Sequence, residues 1–308
     1  MQEAQFIENL CRETDLPGKA EVLTVRTASA EDQTRELKRL IGAVGRIGDI
    51  EHDRSDWVRL GDRTIARLPL GGLAEVHHAS GAMRVKTGIA PMEQLIGTSE
   101  KLDKFKDFAE GYAKTLGMFN ALGRHEQLDF ERLWRIKAAA TDRKGKKVHE
   151  VLCRTVAAYR QFSHGLPILG GASLAIKTAA KGALDSIATR LLTTEPEPIA
   201  SVRLVDAADA ARAVYRQLEG RFGGQFASVE KAKINLEPLK LGYLHLGKRK
   251  AHRVLAPHYL AYIQVEAEEA QAFQLVTPAT EVVWQPLCLS GHDSPIASRS
   301  RADRCSTG

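Results

Sequence analysis

Aromatic residues are scarce in this chain, at 6% of 308 residues, so any core must be built mainly from Ala, Val, Leu and Ile. Cysteine is equally sparse. Cys11, Cys153, Cys288 and Cys305 lie far apart with no Cys-x-x-Cys pair, which argues against a disulfide framework and leaves reduced thiols as the expectation. No window approaches the run of about eighteen apolar residues that a membrane-spanning helix needs, so no membrane span is expected. The start, Met1-Gln-Glu-Ala-Gln-Phe-Ile-Glu, lacks the basic and apolar regions of a signal peptide. With Met1 as the native start a cytoplasmic protein is expected; a leader already removed ahead of it would make the chain secreted. The glycine-rich patterns that cradle phosphates, G-x-x-x-x-G-K-[ST] and G-x-G-x-x-G, are missing, and no cofactor is expected.

What is present is ordinary for a globular protein: 44% hydrophobic and 27% charged residues. The net charge of +6 favours acidic partners only where it is concentrated. Three segments carry the 3.6-residue apolar period of a helix with one buried face. The first follows Ser29 as N-cap with Asp32 three residues on, buries Leu37, Leu40, Ile41 and Val44, and is expected to stop at Gly45. The second follows Ser99, with Leu102, Phe105, Ala109, Tyr112 and Leu116 on one face and Gly117 as its stop. The third opens at Asp206, with Ala207, Ala210, Ala211, Val214, Leu218 and Phe222 ahead of Gly223.

Strand-like runs follow each helix: 63–68, 73–78 and 82–88; 131–140, 148–163, 166–178 and 183–193; then 229–246, 254–265 and 271–277. Gly71-Gly72, Ser80-Gly81, Lys144-Gly145, His164-Gly165 and Lys181-Gly182 supply the turns. The expected fold class is α+β, a helix followed by an antiparallel β-meander, repeated. The expected modules are 1–95, 96–198 and 199–284, with 285–308 a tail, disordered or an unnatural read-through, that lacks any apolar period.

Catalytic constellations are hard to find. His149-Glu-Val-Leu-Cys153 and His125-Glu-Gln-Leu-Asp129 each lack the second histidine of a helical zinc motif. The first falls in a strand, which would put positions 149 and 153 about 13 Å apart. His77 and His78 sit at a hairpin end and should point to opposite faces. His245, His252 and His258 flank one hairpin and could converge with Glu268 or Glu269, but no metal site is expected. Ser290-Gly-His-Asp-Ser294 has the letters of a hydrolytic triad without room for its geometry. On the strand after residue 254, alternation places His258, Tyr262 and Glu266 on one face and Tyr259 on the other. The first three are the candidates for a small-molecule pocket. Two basic tips stand out: Arg143, Lys144, Lys146 and Lys147 on one hairpin, and Lys248, Arg249 and Lys250 with Arg253 on another. Together they are candidate anion-binding residues, although neither tip carries aromatics to stack on bases.

One segment is family-like. Tyr159-Arg-Gln-Phe-Ser-His-Gly-Leu-Pro-Ile-Leu-Gly-Gly171 resembles the motif of fungalysin/thermolysin propeptide domains, in which a strand ends in Gly-[VL]-Pro-[VI]-x-Gly-Gly. The run Leu255-Ala-Pro-His-Tyr-Leu-Ala-Tyr-Ile-Gln-Val265 is similar to the last strand of PepSY domains. The resemblance covers about 150–222, with weaker support to 277, and implies cystatin- or PepSY-like modules, each a helix on a curved sheet. Gly165, Pro167, Gly170 and Gly171 read as the motif's structural residues. Such domains inhibit or chaperone a peptidase, so the resemblance implies a non-catalytic protein that binds another protein. The alternatives are an enzyme with a pocket between sheet and helix, and a polyanion-binding protein using the basic tips. Oligomeric state is not written in the sequence.

Overall fold

The computed structural model describes residues 2–12, 16–48, 55–97, 100–139, 150–223, 233–266 and 271–284. Along the chain, α1 (Glu3–Cys11), β1 (Lys19–Thr24) and α2 (Ala30–Gly48) come first. Four short strands follow: β2 (Asp56–Arg59), β3 (Arg63–Arg67), β4 (Leu73–His77) and β5 (Ala82–Lys86). Next come α3 (Asp103–Thr115) and the long strands β6 (Glu126–Ala138) and β7 (Val151–Ser163). Then come β8 (Leu166–Leu169), β9 (Leu174–Thr178), β10 (Leu184–Thr189) and β11 (Ala200–Arg203). After α4 (Ala207–Phe222) the chain ends in β12 (Lys233–Leu236), β13 (Lys240–Leu244), β14 (Val254–Leu255), β15 (Pro257–Glu266) and β16 (Gln271–Pro278). The class is α+β. Residues 25–196 and 245–253 form the larger of two compact units; 1–24, 197–244 and 254–308 group as the other.

In the larger unit eight strands form one antiparallel sheet in the order β6-β7-β9-β10-β5-β4-β3-β2, with β8 paired to the end of β7. Both long helices of this unit lie against the sheet, α2 on β4 and β5, and α3 on β7 and β9. The reason is in the spacing. Leu37, Leu40, Ile41 and Val44 of α2, and Ala109, Ala113 and Leu116 after them, share one core with Val76, Val85, Ile176 and Ile187 of the strands. Each large aliphatic side chain buried this way contributes about 1.5–3 kcal/mol. The Ser29 hydroxyl accepts from the Asp32 amide at 3.1 Å and donates to its carboxylate at 2.8 Å, which caps α2 as the sequence indicated. Gly45 does not end that helix. It is buried, and α2 runs on to Gly48, because packing against the sheet outweighs the weak propensity of one glycine. Gly117 does close α3: its amide bonds to the Lys114 carbonyl and that of Met118 to Ala113, a Schellman ending.

In the smaller unit β15 is the central strand. It pairs with β12 and β13 along one edge and with β16 along the other. Helix α4 begins at Asp206, whose carboxylate accepts from the Ala208 amide at 2.8 Å. It buries Ala210, Ala211, Val214 and Leu218, and Phe222 stacks edge-on against Phe273 of β16. Helix α1 packs on α4 through Phe6 and Tyr215. A second small sheet joins β1 to β11 and β14.

Candidate anion-binding face

The eight-stranded sheet has two faces of opposite character, and strand alternation assigns residues to one or the other except at the irregularities between Leu184 and Ser186, Phe130 and Arg132, and Ile136 and Lys137. Ala74, Val76, Val85, Ile176 and Ile187 point into the core beneath the helices. Their neighbours point the other way, and the register lines them up across strands. Arg67 stands opposite Leu73, Leu73 opposite Lys86, and Lys86 opposite Ser186. Ser186 then faces Lys177, Lys177 faces Val156, and Val156 faces Trp134. The parallel row beside it runs Glu75, Arg84, Ala188, Ala175, Ala158 and Arg132.

Only two carboxylates on the central strands balance this face, and both are already engaged. Asp185 takes Arg154 at 2.7 Å and Lys177 at 3.5 Å. Glu75 takes Lys248 at 3.4 Å and Arg63 at 3.9 Å. Arg67, Arg84 and Lys86 have no hydrogen-bond or ion-pair partner among the described residues, and Arg84 and Lys86 are half-buried. Glu75 stands opposite Arg84 and Asp56 opposite the exposed Arg67 in the register, without an ion pair to either. Cations in excess of the carboxylates beside them raise the local potential and favour an anion there. His77, at the end of β4, lies on the same face with its Nε2 3.6 Å from the Glu75 carboxylate. It is 2% exposed, and neither ring nitrogen has a hydrogen-bond partner among the described residues. Burial first, and then the charge of Lys248, hold its imidazole below the ordinary histidine range, against the opposing pull of Glu75.

Of the residues singled out by sequence, Lys248 belongs to this face through its bond to Glu75, and its carbonyl accepts from Ser80 at 2.7 Å. Arg249, Lys250 and Arg253 are exposed around the same turn. Arg143, Lys144, Lys146 and Lys147 fall outside the described residues, as do His149, Ser99, Glu268, Glu269 and the 290–294 run. His77 and His78 do point oppositely: His78 turns toward α2, where its Nδ1 meets Gln33 at 3.1 Å and its Nε2 meets Thr64 at 3.0 Å.

His258, Tyr262 and Glu266 share one face of β15, spaced four residues apart, so about 13 Å separates each from the next. His258 is buried with its Nδ1 2.8 Å from the Ala256 carbonyl. Tyr262 lies under Lys240, whose Nζ is 5.2 Å from the ring centroid. Glu266 is exposed, and its bonds to Asn235 and Lys233 hold its carboxyl below the usual range. These three do not converge on one point. His245 and His252 do meet, ring on ring at 4.2 Å, but no group of three or more His, Cys, Asp or Glu among the described residues is placed to hold a metal ion.

The motif residues are architectural. His164 and Gly165, with φ of 47° and 79°, make the two-residue turn between β7 and β8, and Pro167 pairs with Phe162 just after it. Gly170, at φ 113°, separates β8 from β9; a Cβ there would sit 3.3 Å from the His245 carbonyl oxygen. The cations that make the face, Arg67, Arg84, Lys86 and Lys177, went unnoticed in the sequence because each lies singly within a strand. Their signal is parity: in 82–86, Ala82, Arg84 and Lys86 alternate with Met83 and Val85.

No family model matches the chain, and no curated protein matches it in sequence. Among solved structures it is similar to the crystal structure of an uncharacterized protein from Eubacterium rectale ATCC 33656. That similarity has a TM-score of 0.57 at 9% identity, covering 91% of this chain and 97% of the other. At such low identity the likeness speaks for the fold alone.

Proposed function

We propose that this chain is a non-catalytic binding protein whose ligand is a polyanion held on the helix-free face of the larger unit's sheet. The observation that carries this reading is the set of cations Arg67, Arg84 and Lys86, unpaired among the described residues, extended by Lys177 and Lys248 around two engaged carboxylates. Binding of this kind releases counter-ions, so affinity falls linearly on a log–log plot against salt. Retention on immobilised heparin tests it. The intact chain is expected to bind at low ionic strength, and the pair Arg84→Glu and Lys86→Glu should elute at clearly lower salt. A chain that passes through unretained at low salt ends the proposal.

A second reading keeps the protein partner that the propeptide resemblance implies. Strand β2 is the last of its sheet, all four of its residues are exposed, and no strand among the described residues pairs with its outer edge. Trp57, Val58 and Leu60 are 37%, 41% and 40% exposed there. Trp57 and Arg59, with Glu31, Thr34 and Lys38 of α2, line a groove of about 420 Å³, in which Arg59 donates to Glu31 at 3.1 Å and the Lys38 Nζ lies 5.2 Å from the Trp57 ring. An extended segment of a partner could add itself to such an edge, with the groove receiving alternate side chains. On this reading Trp57→Ser abolishes association with the protein partner and leaves heparin retention unchanged; equal association by both chains counts against it.

A further inference from the structure

We infer that the polyanion is single-stranded nucleic acid, laid across the strands from Arg67 toward Trp134; the inference rests on the anion-binding reading of this face. The first support is periodicity. Arg67 is on β3, Lys86 on β5, Lys177 on β9 and Trp134 on β6, so successive members stand two strands apart in one cross-strand row. At about 4.8 Å between strands the row offers a contact roughly every 10 Å, which suits a repeating polyanion better than a single phosphate. The second is the row beside it. Between Arg84 and Arg132 that row holds only Ala188, Ala175 and Ala158. Ala188 and Ala175 are half-buried and Ala158 is fully covered, so small side chains let a flat group approach the sheet over β10 and β9 and not over β7.

The third support names the ligand. Trp134 is 46% exposed at the far end of the row, and the Arg132 guanidinium lies 5.6 Å from its ring. An exposed indole with an adjoining guanidinium is a stacking platform for a base, which has an aromatic face, and offers nothing comparable to a sulfated sugar. Duplex nucleic acid fits less well. Reading a major groove needs a protruding helix or two-stranded ribbon, and this surface is the broad face of a sheet.

The test is fluorescence anisotropy of a labelled oligothymidylate of about 15 nucleotides with the full chain at low salt, beside heparin measured in parallel. The intact chain should bind both. Trp134→Ala should weaken the oligonucleotide by about 5- to 150-fold, the range for losing one stacked base, and leave heparin affinity unchanged. Trp134→Phe should restore most of the loss. The pair Arg84→Glu and Lys86→Glu should weaken both ligands by tenfold or more, whereas Lys104→Glu, exposed on α3, should weaken neither. Thermal unfolding of each variant establishes that it is folded. Heparin binding without oligonucleotide binding, or an oligonucleotide affinity indifferent to Trp134→Ala, overturns the nucleic-acid assignment and leaves polyanion binding standing. Failure to bind either ligand removes both.

Discussion

The two faces of the eight-stranded sheet are made from the same strands, often from adjacent residues, yet they carry different physics. Ile176 is fully buried beneath α3 in a core of aliphatic side chains, while Lys177 beside it reaches Asp185 on the opposite face. Val85 belongs to the core, and Arg84 and Lys86 flank it without a hydrogen-bond or ion-pair partner among the described residues. A period of two lets one strand serve stability with one set of residues and charge presentation with the other. The difference teaches that the core face is constrained by packing, whereas the second face combines a buried structural pair, Arg154 with Asp185, with cations such as Arg84 and Lys86 that have no bond to a carboxylate among the described residues. Cations on strands are normally solvated, as the exposed Arg67 is, or paired, as Lys177 is with Asp185; Arg84 and Lys86, half-buried on β5 and bonded to no carboxylate among the described residues, are neither, and they ask for a ligand.

The largest effect that would break this comparison is on stability. Ile176→Ala removes a fully buried branched side chain and should cost about 2–5 kcal/mol, read as a lower urea midpoint at unchanged slope. Lys177→Ala loses a part-buried but long ion pair at 3.5 Å, whose carboxylate keeps Arg154, and should cost about 1 kcal/mol. Equal costs for the two neighbours would mean that the second face is also a packed core.

Much of the local structure is legible in the chain. The Ser29 cap, the Gly117 ending, the Asp206 start and the strands around 63–68, 73–78 and 82–88 all follow from patterns within a dozen residues. The helix end at Gly45 was misplaced because burial against the sheet decides it. The run 166–178 reads as one strand, yet it breaks at Gly170, where φ is positive and the His245 carbonyl, some 75 residues away in sequence, would stand 3.3 Å from a Cβ. The candidate site is less legible for the same reason. Lys86 meets Ser186 only because β5 pairs with β10, a contact between segments about a hundred residues apart. Basic tips advertise themselves as runs in the sequence, whereas a cross-strand row is assembled by register. The parity of charge within each strand was visible; the order of the strands was not.

A smaller effect sharpens the comparison at a single pair of residues. His77 and His78 are consecutive, but His78 is bonded on both ring nitrogens, to Gln33 of α2 and Thr64 of β3, while His77 lies on the opposite face with no hydrogen bond among the described residues and its Nε2 3.6 Å from the Glu75 carboxylate. Burial and the nearby charges of Lys248 and Arg63 lower the His77 pKa, and Glu75 and Asp62 raise it, with the lowering dominant. The folded value therefore lies below the unfolded one of about 6.5. Between the two, the unfolded chain binds more protons, so stability falls as pH drops below about 6.5, by at most about 1.4 kcal/mol per pH unit for this group, and is independent of it above. His245, pushed down to about 3 by burial, and His252 and His258 shift the same way, so global unfolding reports their sum. The ring-proton resonance of His77 in an NMR titration isolates one of them. It should titrate below the ordinary range in the intact chain, move up in Lys248→Met, and move up again when heparin saturates the face, since each change removes or offsets positive charge beside the ring. A His77 that titrates at an ordinary value and ignores both changes would show that the cations of this face are dispersed into solvent instead of acting together.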